Sequence, residues 1–202
     1  MTARPRIIGL TGSIGMGKTT TAAMFAEAGV PVWDADAAVH RLYAPGGAAL
    51  PAVAALCPEA VTEGGIDRAT LKRWLTATPD GLQRLEAAVH PLVAADRARF
   101  IAEAAEAGAP LVLLDIPLLF ETGGDALCDT TVAVSAPPET QRARVLARPG
   151  MTEAQFAQLL ARQMPDAEKS ARADHVIETT SLDTARAAVH ALLDRLQRPE
   201  DA

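Results

Sequence analysis

The chain has 202 residues, 49% of them hydrophobic and 22% charged, and carries a net charge of −6. That is enough apolar material for one compact domain with one or two helical insertions, and too much for a disordered chain. The acidic balance, without a basic stripe, argues against nucleic acid as a partner and requires local cations for any anionic ligand; no run of about 18 apolar residues suggests a membrane span.

In chain order, Arg6–Thr11 is an apolar, β-branched run that reads as a buried strand leading into glycine-rich sequence. Lys18–Ala28 reads as a helix stopped by Gly29. Val30–Asp34 reads as a second strand, with Pro31 placing it at a strand start or sheet edge. Helices are expected over Ala35–Tyr43 and Ala48–Leu56, separated by Pro45-Gly46-Gly47, and over Arg68–Ala77, capped by Asp67. Two further helices are expected, Pro79–Val89 and Pro91–Ala107, the second opening on its proline. Val61–Ile66 is the one candidate strand in this helical stretch. Beyond it come a fully apolar strand at Leu111–Asp115, a strand at Thr130–Val134 and a helix at Pro138–Ala147. A helix introduced by Thr152 and Gln155 in capping-box spacing follows, then a short strand at His175–Ile177 and a closing helix at Leu182–Leu196. Strands alternating with helices imply a parallel sheet covered on both faces, with ligands at the carboxyl ends of its strands.

Gly12-Ser13-Ile14-Gly15-Met16-Gly17-Lys18-Thr19 satisfies G-x-x-x-x-G-K-[ST] between a predicted strand and a predicted helix. Glycines let successive N–H groups turn toward phosphate oxygens, and the helix start adds its positive dipole end. Lys18 then reaches the β- and γ-phosphates, and the Thr19 hydroxyl ligates Mg²⁺. Lysine is scarce here, three against sixteen arginines, so its position in the motif is informative. Asp115, ending an apolar strand, is the expected second metal ligand. The chain has no asparagine, hence no N-K-x-D guanine reader, and no D-x-x-G turn. A small-molecule or nucleotide kinase is the natural reading.

Other groups narrow it. If the second strand continued through Asp34-Ala35-Asp36, both carboxylates would share one side and either could contact an acceptor hydroxyl. Gln141, Arg144 and Arg148 fall at i, i+3 and i+7, one stripe of a helix, with Arg142 on another face. Trp33 and Trp74 read as core residues, His40 and His190 as surface residues, and Cys57 and Cys128 as buried free thiols without a CxxC partner.

At these motifs the chain resembles the dephospho-CoA kinase family. The resemblance rests on Leu10–Thr19 (L-T-G-x-I-G-x-G-K-[ST]), Asp34–Asp36 (D-A-D), His90-Pro91 (H-P), Asp115–Glu121 (D-x-P-L-L-F-E), Gln141/Arg144/Arg148 (Q-x-x-R-x-x-x-R) and Ala173–Ile177 (A-D-x-V-I). It spans about residues 6–190. Ser13 stands where the family often has glycine, and Glu178-Thr179-Thr180 where it often has an asparagine.

The resemblance implies an α/β P-loop fold: a five-stranded parallel sheet flanked by helices, with a helical acceptor-binding insertion and a lid. The core would take about residues 6–36, 109–147 and 173–197, the insertion about 37–108 and the lid about 148–172. It implies ATP and dephospho-CoA as substrates, Mg²⁺ as cofactor, and phosphorylation of the ribose 3′-hydroxyl to give coenzyme A and ADP, the last step of coenzyme A biosynthesis. Asp36 would be the base, Lys18, Arg144 and Arg148 would act on the transferring phosphoryl group, and Pro149-Gly150 would be a hinge. Gly12, Gly15, Met16, Gly17, Lys18, Thr19 and Thr20 would bind ATP. Thr19 and Asp115 would hold the metal, and Asp34, His90 and Glu121 would contact the acceptor. Such an enzyme is expected in the cytoplasm as a monomer or weak homo-oligomer, without nucleic-acid or membrane partners.

Overall fold

A computed structural model describes residues 4–197. The chain divides into two compact units, Met1–Trp33 with Ala104–Ala202, and Asp34–Glu103.

The first unit is built on a five-stranded parallel sheet. Its strands are β1 (Arg6–Thr11), β2 (Val32–Asp34), β5 (Leu111–Asp115), β6 (Thr130–Ser135) and β7 (His175–Glu178), in the order β2-β5-β1-β6-β7. β1 is central, pairing with β5 in the register Leu10↔Asp115 and with β6 in the register Thr11↔Ala133. β5 is buried along its whole length, which is why it reads as an unbroken apolar run instead of an alternating one. β2 lies at the sheet edge, where Pro31 lacks a donor but its carbonyl accepts from Leu113 N–H at 2.9 Å.

Helices α1 (Lys18–Glu27) and α9 (Leu182–Gln197) supply the apolar cover: Phe25, Met24, Val189 and Leu192 join Ile8, Leu10, Leu113, Val132 and Val134 in one core. Gly29, at φ 84°, ends α1, with its own N–H on Ala26 O and Val30 N–H on Phe25 O, the two bonds of a Schellman motif. Short helices α6 (Pro138–Leu146), α7 (Glu153–Leu160) and α8 (Asp166–Arg172) fill the stretch between β6 and β7. α7 opens with the capping box expected at Thr152 and Gln155. α8 was not anticipated. The A-D step before β7 is explained: Asp174 Oδ2 accepts from both the N–H and the hydroxyl of Thr131, at 2.7 and 2.8 Å, fastening β7 to β6.

The second unit holds α2 (Ala35–Tyr43), α3 (Leu50–Leu56), the two-residue strands β3 (Val61–Thr62) and β4 (Gly65–Ile66), α4 (Arg68–Ala77) and most of α5 (Gly81–Glu106). The candidate strand at 61–66 is therefore an antiparallel hairpin. The unit has its own core of Val53, Cys57, Ile66, Leu71, Leu85 and Val89. Asp67 caps α4 as expected, accepting from Ala69 N–H at 3.0 Å.

Pro91 does not begin a helix: it lies inside the single helix α5. An internal proline removes one backbone bond and clashes with a carbonyl one turn back, at a cost of about 3 kcal/mol. Leu85 and Val89 before it and Val93 after it all pack on the same core, so continuity of the buried face carries the helix through. Trp33 is buried, Trp74 is half-buried under the Arg84 guanidinium, and His40, His90 and His190 are exposed. Cys57 is buried, and burial pushes its thiol pKa up; Cys128, expected buried, is half-buried. Among the described residues no helix is long and apolar enough to cross a membrane.

Candidate active site

β1 pairs in parallel with β5 and β6, and β6 with β7, so the carboxyl ends of these strands meet at one edge, the place where ligands bind in such sheets. The loop from Gly12 to Gly17 leaves β1 there and turns into α1. Gly17, at φ 88°, is the residue before α1, and only glycine takes that conformation without strain. Gly12 is needed for a different reason: a Cβ there would stand 2.3 Å from Val134 Cγ2. Among the described residues no hydroxyl or carboxylate caps the start of α1. Its amide donors are therefore open to an anion.

Lys18 is the first residue of α1, and its ammonium pairs with the Asp115 carboxylate at the end of β5. Thr19 and Thr20 are exposed on the first turn. The remaining loop contacts come from the segment between β6 and β7. Gln141 is buried and its Nε2 donates to Ile14 O at 2.8 Å, while Ile14 N–H donates to Gln163 Oε1 at 3.0 Å. One residue of the loop, Ile14, is thus held on both its peptides by two glutamines from opposite ends of that segment. A further contact comes from just past the carboxyl end of β7, where the Thr179 hydroxyl donates to Met16 O at 2.7 Å.

The comparisons with known proteins fall on the same residues. The sequence model of the family described as dephospho-CoA kinase matches residues 6–184. The chain belongs to the dephospho-CoA kinase family. The dephospho-CoA kinase of Cereibacter sphaeroides (strain ATCC 17023) is 62% identical over 199 residues, covering 98% of this chain and all of the relative. Among solved structures, TT1252 from Thermus thermophilus is 38% identical, with a TM-score of 0.82 over 97% of this chain and all of that one. Dephospho-CoA kinase from Campylobacter jejuni, at 22% identity and a TM-score of 0.64 over 96% of this chain and 98% of that one, shares the fold. As a member of the dephospho-CoA kinase family the chain is a phosphotransferase, a kinase built on a P-loop.

Within that dephospho-CoA kinase frame, the expected residues do not all stand as the sequence suggests. β2 ends at Asp34 and α2 begins at Ala35, so strand alternation does not reach Asp36. Asp34 is the cap of α2, accepting from Ala37 N–H at 2.8 Å, and Asp36 sits exposed in the first turn. The arginine stripe is broken: α6 ends at Leu146, leaving Arg148 beyond it and exposed, while Arg142 pairs with Glu153. Arg144 sets its fork on Thr179, Nη2 on the carbonyl at 2.5 Å and Nη1 on the hydroxyl at 3.1 Å. Glu121, expected to contact the acceptor, is bonded by Lys169 Nζ and by Met164 N–H at 3.0 Å. Burial pushes its carboxyl pKa up, but these hydrogen bonds and the lysine charge outweigh that and hold it below the usual range. His90 is exposed on α5.

Lys169, Thr179 and Gln163 were missed. Thr179 was visible only as a departure from the family pattern. Lys169 had one signal, its rarity: it is one of three lysines, and its side chain is 0% exposed.

Magnesium fits the donor set. It favours oxygen ligands, dehydrates reluctantly and commonly takes one or two carboxylates together with substrate phosphates. Thr19 offers an exposed hydroxyl, and Asp115 a carboxylate already facing a cation.

Proposed function

We propose that the protein transfers the γ-phosphoryl group of ATP to the ribose 3′-hydroxyl of dephospho-CoA, giving coenzyme A and ADP. The observation that carries this is the loop Gly12–Thr19, uncapped at the start of α1 and with its Lys18 paired to Asp115, in a chain matched to the family across residues 6–184.

In this reading the backbone N–H groups of Gly15, Gly17, Lys18, Thr19 and Thr20 hold the phosphate chain, while the Met16 N–H donates to Ser13 O and shapes the turn. Lys18 exchanges its Asp115 partner for phosphate oxygens and follows the charge as it builds up during transfer. Thr19 and Asp115 would hold magnesium, which when bound neutralises charge on the β- and γ-oxygens. Asp36 takes the proton of the attacking hydroxyl; because Asp34 does the capping of α2, the exposed Asp36 carboxylate is available for that work. Arg148 approaches the phosphoryl group from the lid. Arg144, a planar fork beside the loop, braces the nucleotide side of the site. Asp34 and His90 are assigned to the acceptor. The reading places the enzyme in the cytoplasm, as a monomer or weak homo-oligomer.

The test is to incubate the pure protein with magnesium, ATP and dephospho-CoA and to follow coenzyme A by chromatography. Stoichiometric coenzyme A and ADP are expected. ADP without coenzyme A, from a folded protein, overturns the reading.

A further inference from the structure

Lys169 lies on α8, and its side chain is fully buried. Its ammonium has four oxygens around it: Glu121 Oε1 at 2.8 Å and Oε2 at 3.1 Å, Pro117 O at 3.1 Å and, more distant, Thr11 Oγ1 at 3.5 Å. Thr11 is the last residue of β1, directly before Gly12, and its own hydroxyl donates to Pro117 O at 3.0 Å. Pro117 stands two residues after Asp115. Glu121 Oε1 also accepts from Met164 N–H, and Met164 O faces Ser13 Oγ at 3.5 Å. One ammonium therefore joins the entrance of the phosphate loop, the segment that follows Asp115, and the chain that leads into α8.

We propose that Lys169 is a positioning residue for phosphoryl transfer: through Thr11, Pro117 and Glu121 it holds the phosphate loop and Asp115 in the relative register that the reaction needs. The inference rests on the proposed function. Stability alone is a weak account of the buried Lys169 and its 20%-exposed partner Glu121, because ion pairs withdrawn from water are often matched in stability by apolar groups of similar volume. What an apolar replacement does not supply is direction. Two hydrogen bonds at 3.1 Å, a longer one at 3.5 Å and the ion pair to Glu121 Oε1 fix where two strand ends stand, and a displacement of about 1 Å in such a frame can cost about 10²-fold in rate. The head group also matters. This chain uses sixteen arginines, yet lysine occupies this pocket, where a compact ammonium reaches carbonyl, hydroxyl and carboxylate at once.

The experiment compares wild type, Lys169→Met, Lys169→Met/Glu121→Gln and Thr11→Val, measuring melting temperature, kcat and KM for ATP. Lys169→Met should lose both stability and turnover, since it leaves Glu121 without its cation. The double variant should recover most of the melting temperature, yet keep a kcat at least about 10-fold below wild type with KM for ATP within about threefold, because the amide cradle is intact. Recovery of kcat together with melting temperature overturns the proposal and makes Lys169 structural only. If the Lys169 variants do not fold, Thr11→Val decides: about three- to tenfold lower kcat with KM for ATP within about threefold is expected, in a protein that still folds, and wild-type kcat overturns the proposal. A wild type that makes no coenzyme A overturns the function itself, whereas an active wild type beside a fully active double variant overturns only this inference.

Discussion

Two lysines serve the two ends of the phosphate loop, and they do so in opposite ways. Lys18, at the exit, has a side chain 15% exposed and a single carboxylate partner, Asp115. Lys169, behind the entrance, has a side chain 0% exposed and oxygens from three residues around it. A cation that must hand itself to a substrate needs a partner it can leave. A cation that must hold a frame needs more bonds than any ligand can replace. Burial and bond number separate the two jobs, although both residues are the same amino acid paired with an acid from residues 115–121.

On the proposed function the chemistry lies at the Lys18 end, and the strongest way to break the comparison is to move the chemistry elsewhere. Asp36→Asn should lower kcat by about 10²–10⁴-fold with little change in ATP affinity, as removal of a general base does; unchanged turnover takes Asp36 out of the mechanism. Lys18→Ala should lose about 3–4 kcal/mol of transition-state stabilisation, read as kcat/KM in a coupled ADP assay. Its melting temperature should fall less than that of Lys169→Met, and the reverse order would dissolve the distinction between the two lysines. Lys169→Met should lose about 1–3 kcal/mol of folding stability in urea titrations, because it takes the charged donor away from Pro117 O and from the partly exposed Glu121.

A smaller effect is expected at Thr179, whose hydroxyl ties Met16 O to the carboxyl end of β7 and receives Arg144. Thr179→Val should cost about 1–2 kcal/mol and raise KM for ATP severalfold while leaving kcat closer to wild type. The smallest effect is on pH dependence. The Thr131 hydroxyl and N–H hold the Asp174 carboxyl below its ordinary 3.8, and Glu121 is held below its ordinary 4.5, where burial opposes the shift but the Lys169 and Met164 bonds outweigh it. Both groups bind more protons when unfolded, so their contribution is present above the ordinary values and is lost as pH falls through the folded ones. Stability in urea should therefore decline from about pH 5 to about pH 3, and Asp174→Asn should flatten that slope.

The same contrast explains what could be read early. Lys18 announces itself through spacing: the six residues before it carry three glycines, a strand precedes them and a helix starts at the lysine. Lys169 has no such neighbours. Its partners Thr11 and Glu121 are 158 and 48 positions away, and α8 is too short and too polar to signal a buried face. Arg144 was legible as a cation near the site, but its partner Thr179, 35 positions on, was not. Local turn chemistry was read correctly at Asp67 and Thr152 because caps involve residues two or three apart. Pro91 was misread for the complementary reason: a local rule gave way to a buried face shared by Leu85, Val89 and Val93.

By itself the amino-acid sequence determined the five strands of the main sheet, the phosphate loop and the carboxylate at the end of β5, since each depends on periodicity or fixed spacing along a few residues. Only the tertiary structure decided which acid each lysine holds, where the Arg144 fork rests and that α5 runs through its proline. Those outcomes depend on burial and on oxygens brought together from distant parts of the chain, and an ammonium group's role follows from how completely those oxygens replace water around it.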